Sequence, residues 1–309
     1  MNVLSLFDGM SCGQIALERV GIPIDNYFSS EIDKWAIQIT QKNYPNTIQL
    51  GDVISWQDWH LPKIDLLLGG SPCQGFSIAG KRLNWDDPRS SLFFKYVDCL
   101  RWYKPKWFLF ENVARMRKDV QDAVSYELGV EPIRINSSLV SAQMRDRLYW
   151  TNVPNIDQPK DKGVFLKDVL QPIDDVDERY YMRNGHAGTI RSTIEKAGCL
   201  TGGAHSGGNH SDMTLIQVET LYDNNATAGR IYSTQGKSVT LKGEAGGLGA
   251  KTGLYVINNR IRRLTPIECE RLQTVSDNYT EGVSNTQRYK MLGNGWTVDV
   301  IIYILNHIP

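Results

Sequence analysis

The chain opens with MNVLSLFDGMSCG at residues 1–13, and this stretch decides the class of fold. The apolar run 2–6 predicts a buried strand, and the residues 12–20 that follow have the apolar spacing of a helix. Glycines at a strand-to-helix turn let the backbone approach a ligand closely, and the start of a helix offers unpaired N–H groups. The stretch therefore predicts the first β–α unit of a ligand-binding sheet, with a purely structural turn as the alternative.

Strands and helices continue to alternate as far as residue 110. The predicted strands are 27–30, 48–50, 64–68 and 107–110, and the predicted helices are 33–43 and 92–103. This order is typical of βαβ units and of a mostly parallel, doubly wound α/β sheet. Such sheets bind ligands beyond the carboxyl ends of their strands. Notable residues follow the strands at these ends: Asp8, Glu31, Asp52, Cys73, Glu111 and Asn112.

The composition limits the class of protein. The 309 residues are 41% hydrophobic and 22% charged, as in a globular protein with one large or two modest domains. No apolar run is long enough for a membrane span, and the N-terminus lacks the basic start of a signal peptide. The five cysteines include no C-x-x-C pair, which favours a reducing, cytosolic compartment over disulfides or zinc. Basic and acidic residues balance at 34 each, so only their distribution can indicate nucleic acid.

The second half of the chain has a different character. Residues 157–178 carry seven acidic residues against three lysines, as in a solvated connecting segment. Residues 183–263 carry ten Lys and Arg against five acidic residues, and glycines concentrate there, which favours a loop-rich basic surface. Helices are then predicted after Thr265, with Pro266 and Glu268 in its first turn, and at 297–308. We expect one domain formed by 1–153 plus 287–309, and a smaller one formed by 154–286.

Six short motifs occur in order along the chain. They are Phe7-Asp8-Gly9, Ser71-Pro72-Cys73-Gln74, Glu111-Asn112-Val113, Gln143-Met144-Arg145-Asp146-Arg147, Arg263-Leu264-Thr265-Pro266-Ile267-Glu268 and Gly293-Asn294-Gly295. In this order and at this spacing they resemble the motifs of DNA (cytosine-5) methyltransferases. The resemblance leaves only about residues 155–258 without a shared motif. It implies a Rossmann-like methyltransferase domain and a smaller, loop- and strand-rich target recognition domain.

The resemblance also implies a set of catalytic residues. Cys73 matches the nucleophile, whose thiolate would add to C6 of cytosine and so activate C5, and its place at a strand end already favours a nucleophile over an inert thiol. Glu111 matches the acid at the N3 and N4 edge of the base. Arg147 would hold O2 of the base with Arg145 in support, and Asn112 would brace the turn before Cys73.

A pocket for S-adenosyl-L-methionine, without a metal, is implied as well. It would comprise Phe7, Gly9, Met10, Glu31, Ile32, Asp52, Val53 and Asn294. In a Rossmann-like site, Glu31 could accept from ribose hydroxyls and Asp52 from an adenine amino group. Two features depart from many bacterial members: the second glycine of the first motif is delayed to Gly13, and Gly295-Trp296 follows Asn294 where a serine is usual. Both variants look more like the catalytic domains of vertebrate de novo methyltransferases.

Duplex DNA is the implied partner, because a flipped cytosine is the family's target. The segment 74–89 resembles the family's mobile loop, and Gln74, Ser77 and Arg89 are its candidates for DNA contact. The basic segment adds further candidates for phosphate or base contact: Arg183, Arg191, Lys196, Asn209, Arg230, Gln235, Lys237, Lys242 and Lys251. Three histidines there (His186, His205 and His210) lack a nearby cysteine pair, which disfavours a metal site.

Three functions compete at this point: methylation of DNA, methylation of RNA cytosine, and DNA binding without catalysis. The roughly hundred-residue basic segment favours duplex DNA over tRNA, and the intact Cys73, Glu111 and Arg147 favour an enzyme. The minimal size suggests a monomeric, cytoplasmic enzyme of bacterial or phage type, with no membrane partner. We expect it to serve host defence beside a separately acting restriction endonuclease, or phage self-protection.

Overall fold

The computed structural model describes residues 1–72, 88–181, 217–220, 230–243, 251–258 and 260–309, with the backbone alone at 88–91 and 217–220. Several residues predicted to act in the site lie outside these ranges: Cys73, Gln74, Ser77 and Arg191, together with Arg183, Lys196, Asn209 and the three histidines of the basic segment. Arg89 lies within them by its backbone only.

A seven-stranded sheet forms the centre of the fold, in the order β3-β2-β1-β4-β5-β7-β6. Its strands are β1 (Asn2–Leu6), β2 (Asn26–Ser30), β3 (Ile48–Gln49), β4 (Leu66–Gly69), β5 (Trp107–Val113), β6 (Ile133–Asn136) and β7 (Asp146–Thr151). The first five strands are parallel, and β7 runs antiparallel to both β5 and β6. The predicted doubly wound α/β class is confirmed, with β6 and β7 as strands that the sequence pattern did not indicate.

Helices cover both faces of this sheet. They are α1 (Cys12–Val20), α2 (Lys34–Asn43), α3 (Pro88–Tyr103), α4 (Lys118–Leu128) and α7 (Val298–Leu305). Successive residues of a strand point to opposite faces, so Leu66 and Leu68 pack in one core with α1 and α7, and Leu67 packs in the other with α3 and α4. Burial on both faces explains why these strands are continuous apolar runs in the sequence.

A second, four-stranded sheet follows in the order β11-β10-β9-β8. Its strands are β8 (Gln217–Thr220), β9 (Arg230–Ser233), β10 (Leu254–Ile257) and β11 (Arg260–Arg262). Tyr232 and Tyr255 of this sheet belong to the same apolar core as Leu68 of the large sheet. The two sheets therefore share one continuous core on that side of the molecule.

The last two helices before α7 are α5 (Pro266–Leu272) and α6 (Asn285–Asn294). Thr265 caps α5 as expected, since its hydroxyl accepts from Glu268 N at 3.2 Å and Glu268 Oε2 accepts from Thr265 N at 2.9 Å. Beyond α5, the Tyr279 hydroxyl donates to the Met10 carbonyl at 2.7 Å. This contact joins the segment after α5 to the turn after β1, and the division at 154–286 stays a prediction.

A buried ion pair joins the end of β11 to α5. Arg262 donates through Nη1 and Nη2 to the two carboxylate oxygens of Glu268, each at 2.7 Å, and both side chains are almost fully buried. Glu268 also accepts from the Gln171 backbone N–H at 3.0 Å. These hydrogen bonds offset part of the cost of burying the two charges, and they fix the small sheet to α5.

In the part of the chain with described structure, no helix is both long and apolar enough to cross a membrane.

Candidate active site

Glu111, near the end of β5, is the centre of the candidate site. Glu111 is buried, with 8% of its surface exposed, and each of its carboxylate oxygens accepts from a side-chain donor. Arg147 Nε lies 2.8 Å from Oε1, and Trp296 Nε1 donates to Oε2 at 3.1 Å. Arg147 also donates through Nη1 to the Asp146 carbonyl at 2.8 Å. The carboxylate is thus held between β7 on one side and the segment before α7 on the other.

The end of β4 lies directly against this carboxylate. A Cβ atom built on Gly70 would be 3.0 Å from Glu111 Oε2 and 3.1 Å from the Glu111 carbonyl oxygen, so a side chain here would require Glu111 to shift by a few tenths of an ångström. Asn112 Nδ2 donates to the Ser71 carbonyl at 3.2 Å, and its Oδ1 accepts from Val113 N. The described chain reaches Pro72, the residue that immediately precedes Cys73.

Arg145 lies behind the site rather than at its surface. It is 4% exposed, and its guanidinium donates to the carbonyls of Gly293 at 3.1 Å, Gly295 at 3.0 Å and Leu241 at 3.4 Å. Burial, and then the charge of nearby Arg147, lower the pKa of Arg145 to about 9. Arg145 therefore ties the end of α6 to the segment that precedes β10.

The turn after β1 and the end of β2 form the candidate cofactor pocket. Gly9 N donates to Glu31 Oε2 at 2.7 Å, while Oε1 accepts from Ile32 N at 2.7 Å and from Asp33 N at 2.8 Å. Phe7 and Gly9 have φ of 56° and 60°, and a Cβ on Gly9 would meet no atom within 4 Å. The turn is consequently open to a ligand, and Ile32 beside it is 72% exposed.

The remaining pocket candidates divide into open and buried side chains. Asp52 is exposed and its Oδ1 accepts from Ile54 N at 3.0 Å, and Asn294 is exposed at the end of α6. The side chains of Met10 and Val53 are buried in the cores on the two sides of the sheet. These two residues can therefore line a pocket through their backbone only.

Two residues gained no functional assignment from the sequence. Asp8 accepts hydrogen bonds from the hydroxyls of Ser5, Ser11, Tyr27 and Ser29, and burial raises its pKa despite these bonds. It thereby supports the open turn from beneath. Trp296 donates to Glu111, and its place directly after the Gly293-Asn294-Gly295 motif was the only sign of it in the sequence.

One candidate for DNA contact is wrong. Lys237 is 1% exposed, and its ammonium donates to the carbonyls of Ser138 at 2.8 Å, Ser141 at 3.4 Å and Val164. A buried lysine whose ammonium is already hydrogen-bonded to backbone carbonyls cannot reach a DNA phosphate.

Among the other candidates for DNA contact, the side chains of Gln235 and Lys242 are exposed, and those of Arg230 and Lys251 are half-buried. Across the described ranges, no group of three or more His, Cys, Asp or Glu side chains could hold a metal ion.

Comparison with known proteins gives consistent matches along the whole chain. The family model described as C-5 cytosine-specific DNA methylase matches residues 1–127 and 135–309. The Type II methyltransferase M.HhaI of Haemophilus parahaemolyticus is 30% identical over 329 aligned residues, covering 100% of this chain and 94% of that protein. The orphan methyltransferase M.SPRI of Bacillus phage SPR is 26% identical, with 100% and 97% covered. The solved structure of Entamoeba histolytica methyltransferase EhMeth has a TM-score of 0.69 at 19% identity, covers 99% and 97% of the two chains, and supports the fold.

Proposed function

Because the chain belongs to the C-5 cytosine-specific DNA methylase family, we propose that it is a DNA (cytosine-5-)-methyltransferase acting on a short, specific site in duplex DNA. The methyl donor would be S-adenosyl-L-methionine, with S-adenosyl-L-homocysteine as product and no metal. The observation that carries the proposal is the carboxylate of Glu111, held by Arg147 and Trp296 against the end of β4, where the chain leads through Pro72 to Cys73.

Cys73 is the proposed nucleophile. When bound, S-adenosyl-L-methionine supplies an electrophilic methyl group on a positively charged sulfur. The Cys73 thiolate would form a bond to C6 of the flipped cytosine, and the electron pair of the C5–C6 double bond would become available at C5 for methylation. Loss of the C5 proton would then restore the double bond and release the thiolate. The enzyme would be regenerated with Cys73 again as the thiolate.

Glu111 and Arg147 would orient the base and balance its charge during this addition. Glu111 would contact the N3 and N4 edge of cytosine, where charge develops when C6 is attacked. A guanidinium has five N–H donors, and the described contacts of Arg147 use only Nε and one donor of Nη1. The other donors of Arg147 would serve O2 of the base. Asn112 would brace the turn through the Ser71 carbonyl, and Arg145 would support the segment around Gly295.

The proposed pocket fits a nucleoside with an adenine base. The Glu31 carboxylate has about four acceptor positions, of which backbone N–H groups use three, so one remains for a ribose hydroxyl. Exposed Ile32 offers an apolar surface to the adenine ring, and Asp52 a carboxylate to its amino group. The other proposed contacts are Phe7, Gly9 and Asn294, with Met10 and Val53 contributing backbone atoms.

The smaller domain, 154–286, would read the DNA site. We propose Gln74, Ser77, Arg89, Arg191 and Arg230 as DNA contacts. M.HhaI carries the name of a Type II methyltransferase, and M.SPRI carries that of an orphan methyltransferase and comes from a phage, which supports a role in restriction–modification or in phage self-protection. The enzyme would then act as a monomer on DNA in the cytoplasm, and any cognate restriction endonuclease would act separately.

The test is methyl transfer from labelled S-adenosyl-L-methionine to duplex DNA and to tRNA in parallel, followed by bisulfite sequencing of the DNA. Label at cytosine within one short repeated sequence is the expected result, and it would also identify the site. Label on tRNA alone would replace DNA by RNA as the substrate. Binding of DNA without any label would contradict the proposed activity.

A further inference from the structure

We infer that Trp296 is a positioning residue that sets the orientation of the Glu111 carboxylate through its indole N–H. The inference rests on the proposed function, in which Glu111 contacts the cytosine. Trp296 Nε1 donates to Oε2 at 3.1 Å, and Arg147 Nε lies 2.8 Å from Oε1. A carboxylate with one donor alone could still rotate about its last bond. Here Arg147, on β7, and Trp296, in the segment before α7, each donate to a different oxygen of the carboxylate. Together they fix that rotation before a base binds.

The position of Trp296 is itself fixed by buried hydrogen bonds. The carbonyl of the preceding Gly295 accepts from Arg145 Nη2 at 3.0 Å and from Gln273 Nε2 at 3.2 Å. The hydroxyl of the following Thr297 donates to Gln273 Oε1 at 2.8 Å. Gln273 thus contacts the backbone just before Trp296 and the side chain just after it. A hydrogen bond from an indole anchored in this way demands little reordering when the base binds.

The indole ring also fills the space between the two halves of the site. A Cβ on Gly70, at the end of β4, would be 3.4 Å from Trp296 Nε1. On the other side, a Cβ on Gly13 in α1 would be 3.6 Å from Trp296 Cζ3. The ring therefore reaches from the helix that follows the cofactor turn to the catalytic carboxylate. Gly70 and Gly13 leave room for the two rings of the indole. A side chain that keeps two fused rings but lacks the N–H can therefore separate the effect of packing from that of the hydrogen bond.

Trp296→Phe keeps one aromatic ring and removes the N–H together with the second ring. We expect kcat to fall about tenfold to a hundredfold, as for loss of one hydrogen bond to a charged group, with the KM values for cofactor and DNA nearly unchanged. Trp150→Phe is the matched control, because Trp150 Nε1 donates at 3.0 Å to the Ser125 hydroxyl in the core on the opposite face of β7 from Arg147. That variant should be less stable but should turn over at the normal rate.

A double variant separates failure of the inference from failure of the proposed function. If Glu111→Gln alone slows transfer and Trp296→Phe slows it no further in that background, Trp296 acts through Glu111. A normal kcat for Trp296→Phe, or equal losses in both backgrounds, would overturn the inference while the role of Glu111 stands. A normal rate for Glu111→Gln would instead remove Glu111 from its proposed role and the inference with it, whereas no methyl transfer by the wild type would overturn the proposed function.

Folding of the variants must be checked by circular dichroism and thermal unfolding. If Trp296→Phe does not fold, 3-benzothienylalanine at position 296 retains two fused rings and replaces only the N–H by sulfur. The same loss of kcat at unchanged KM is expected for it. A normal kcat with this side chain would overturn the inference.

Discussion

Glu111 and Arg147 occupy diagonal positions on one face of the antiparallel pair β5–β7. Arg147 pairs with Val113 and Tyr149 pairs with Glu111, so the two charged side chains lie two residues apart on the same face, where long side chains can meet. Arg147 Nε reaches Glu111 Oε1 at 2.8 Å. Because β7 runs antiparallel to β5, it places the Arg147 guanidinium at the carboxyl end of β5, in a sheet whose first five strands are parallel.

Replacing Glu111 by Gln should slow methyl transfer without unfolding the protein. The amide has nearly the same shape but no negative charge, so we expect kcat to fall about 10²- to 10⁴-fold. Single-turnover transfer to duplex DNA measures this. Glu127→Gln is the control, because Glu127 pairs with Arg101 at the protein surface, and it should leave the rate unchanged. A near-normal rate for Glu111→Gln would remove Glu111 from the acid role.

Replacing Arg147 by Ala should lower kcat about a hundredfold or more, because it removes a donor from Glu111 and the proposed contact with O2 of the base. Arg134→Ala tests whether any arginine nearby has this effect. Arg134 pairs with Asp146, the neighbour of Arg147, but its side chain is 63% exposed. Its loss should cost at most about 1 kcal/mol of stability. Equal slowing by both variants would contradict a specific role for Arg147.

Substitution of Lys237 should change the stability of the protein, and substitution of Lys242 should change its affinity for DNA. Lys237→Met removes the donor from buried carbonyls, so we expect a loss of about 1–3 kcal/mol in the free energy of unfolding and no change in DNA affinity. Lys242 is exposed, and its change to Met should reduce the slope of log affinity against log salt by about one if it contacts a phosphate. Titrations at several salt concentrations measure both. A reduced slope for Lys237→Met would contradict its buried position.

The stability of the protein should depend on pH through Asp8. Burial raises the pKa of this carboxyl above its usual 3.8. The folded state then binds more protons than the unfolded state, so the contribution of Asp8 is fully present below pH 3.8 and is lost as the pH rises through the folded pKa. Urea unfolding between about pH 4 and pH 8 should show the wild type losing stability relative to Asp8→Asn. A difference that stays flat or grows in favour of the wild type would contradict this.

The parallel part of the fold could be predicted because its signals are local. Strands such as Leu66–Gly69 are buried on both faces and are apolar throughout, and the cap of α5 lies within four consecutive residues. β6 and β7 were missed because Arg134 and Arg147 interrupt their apolar pattern. The class of fold and the family followed from these local signals and from the order of the motifs.

Contacts between distant parts of the chain could not be predicted in this way. Trp296 and Glu111 are separated by 185 residues, and only the packing of α6 and α7 against the sheet brings them together. Lys237 has the chemistry of a surface lysine, and its burial follows from backbone carbonyls contributed by residues about a hundred and about seventy positions earlier. In both cases the side chain type was visible in the sequence, but its partner was not.

The most direct test of the central claim is to trap the covalent adduct between Cys73 and cytosine. Duplex DNA would carry 5-fluorocytosine at the site identified by bisulfite sequencing, because fluorine at C5 replaces the proton whose loss releases the enzyme. With S-adenosyl-L-methionine present, denaturing mass spectrometry should show protein joined to DNA through the peptide that contains Cys73. The Cys73→Ser variant should bind the same DNA without forming an adduct. An adduct through another residue, or methyl transfer by the Ser variant, would contradict the account.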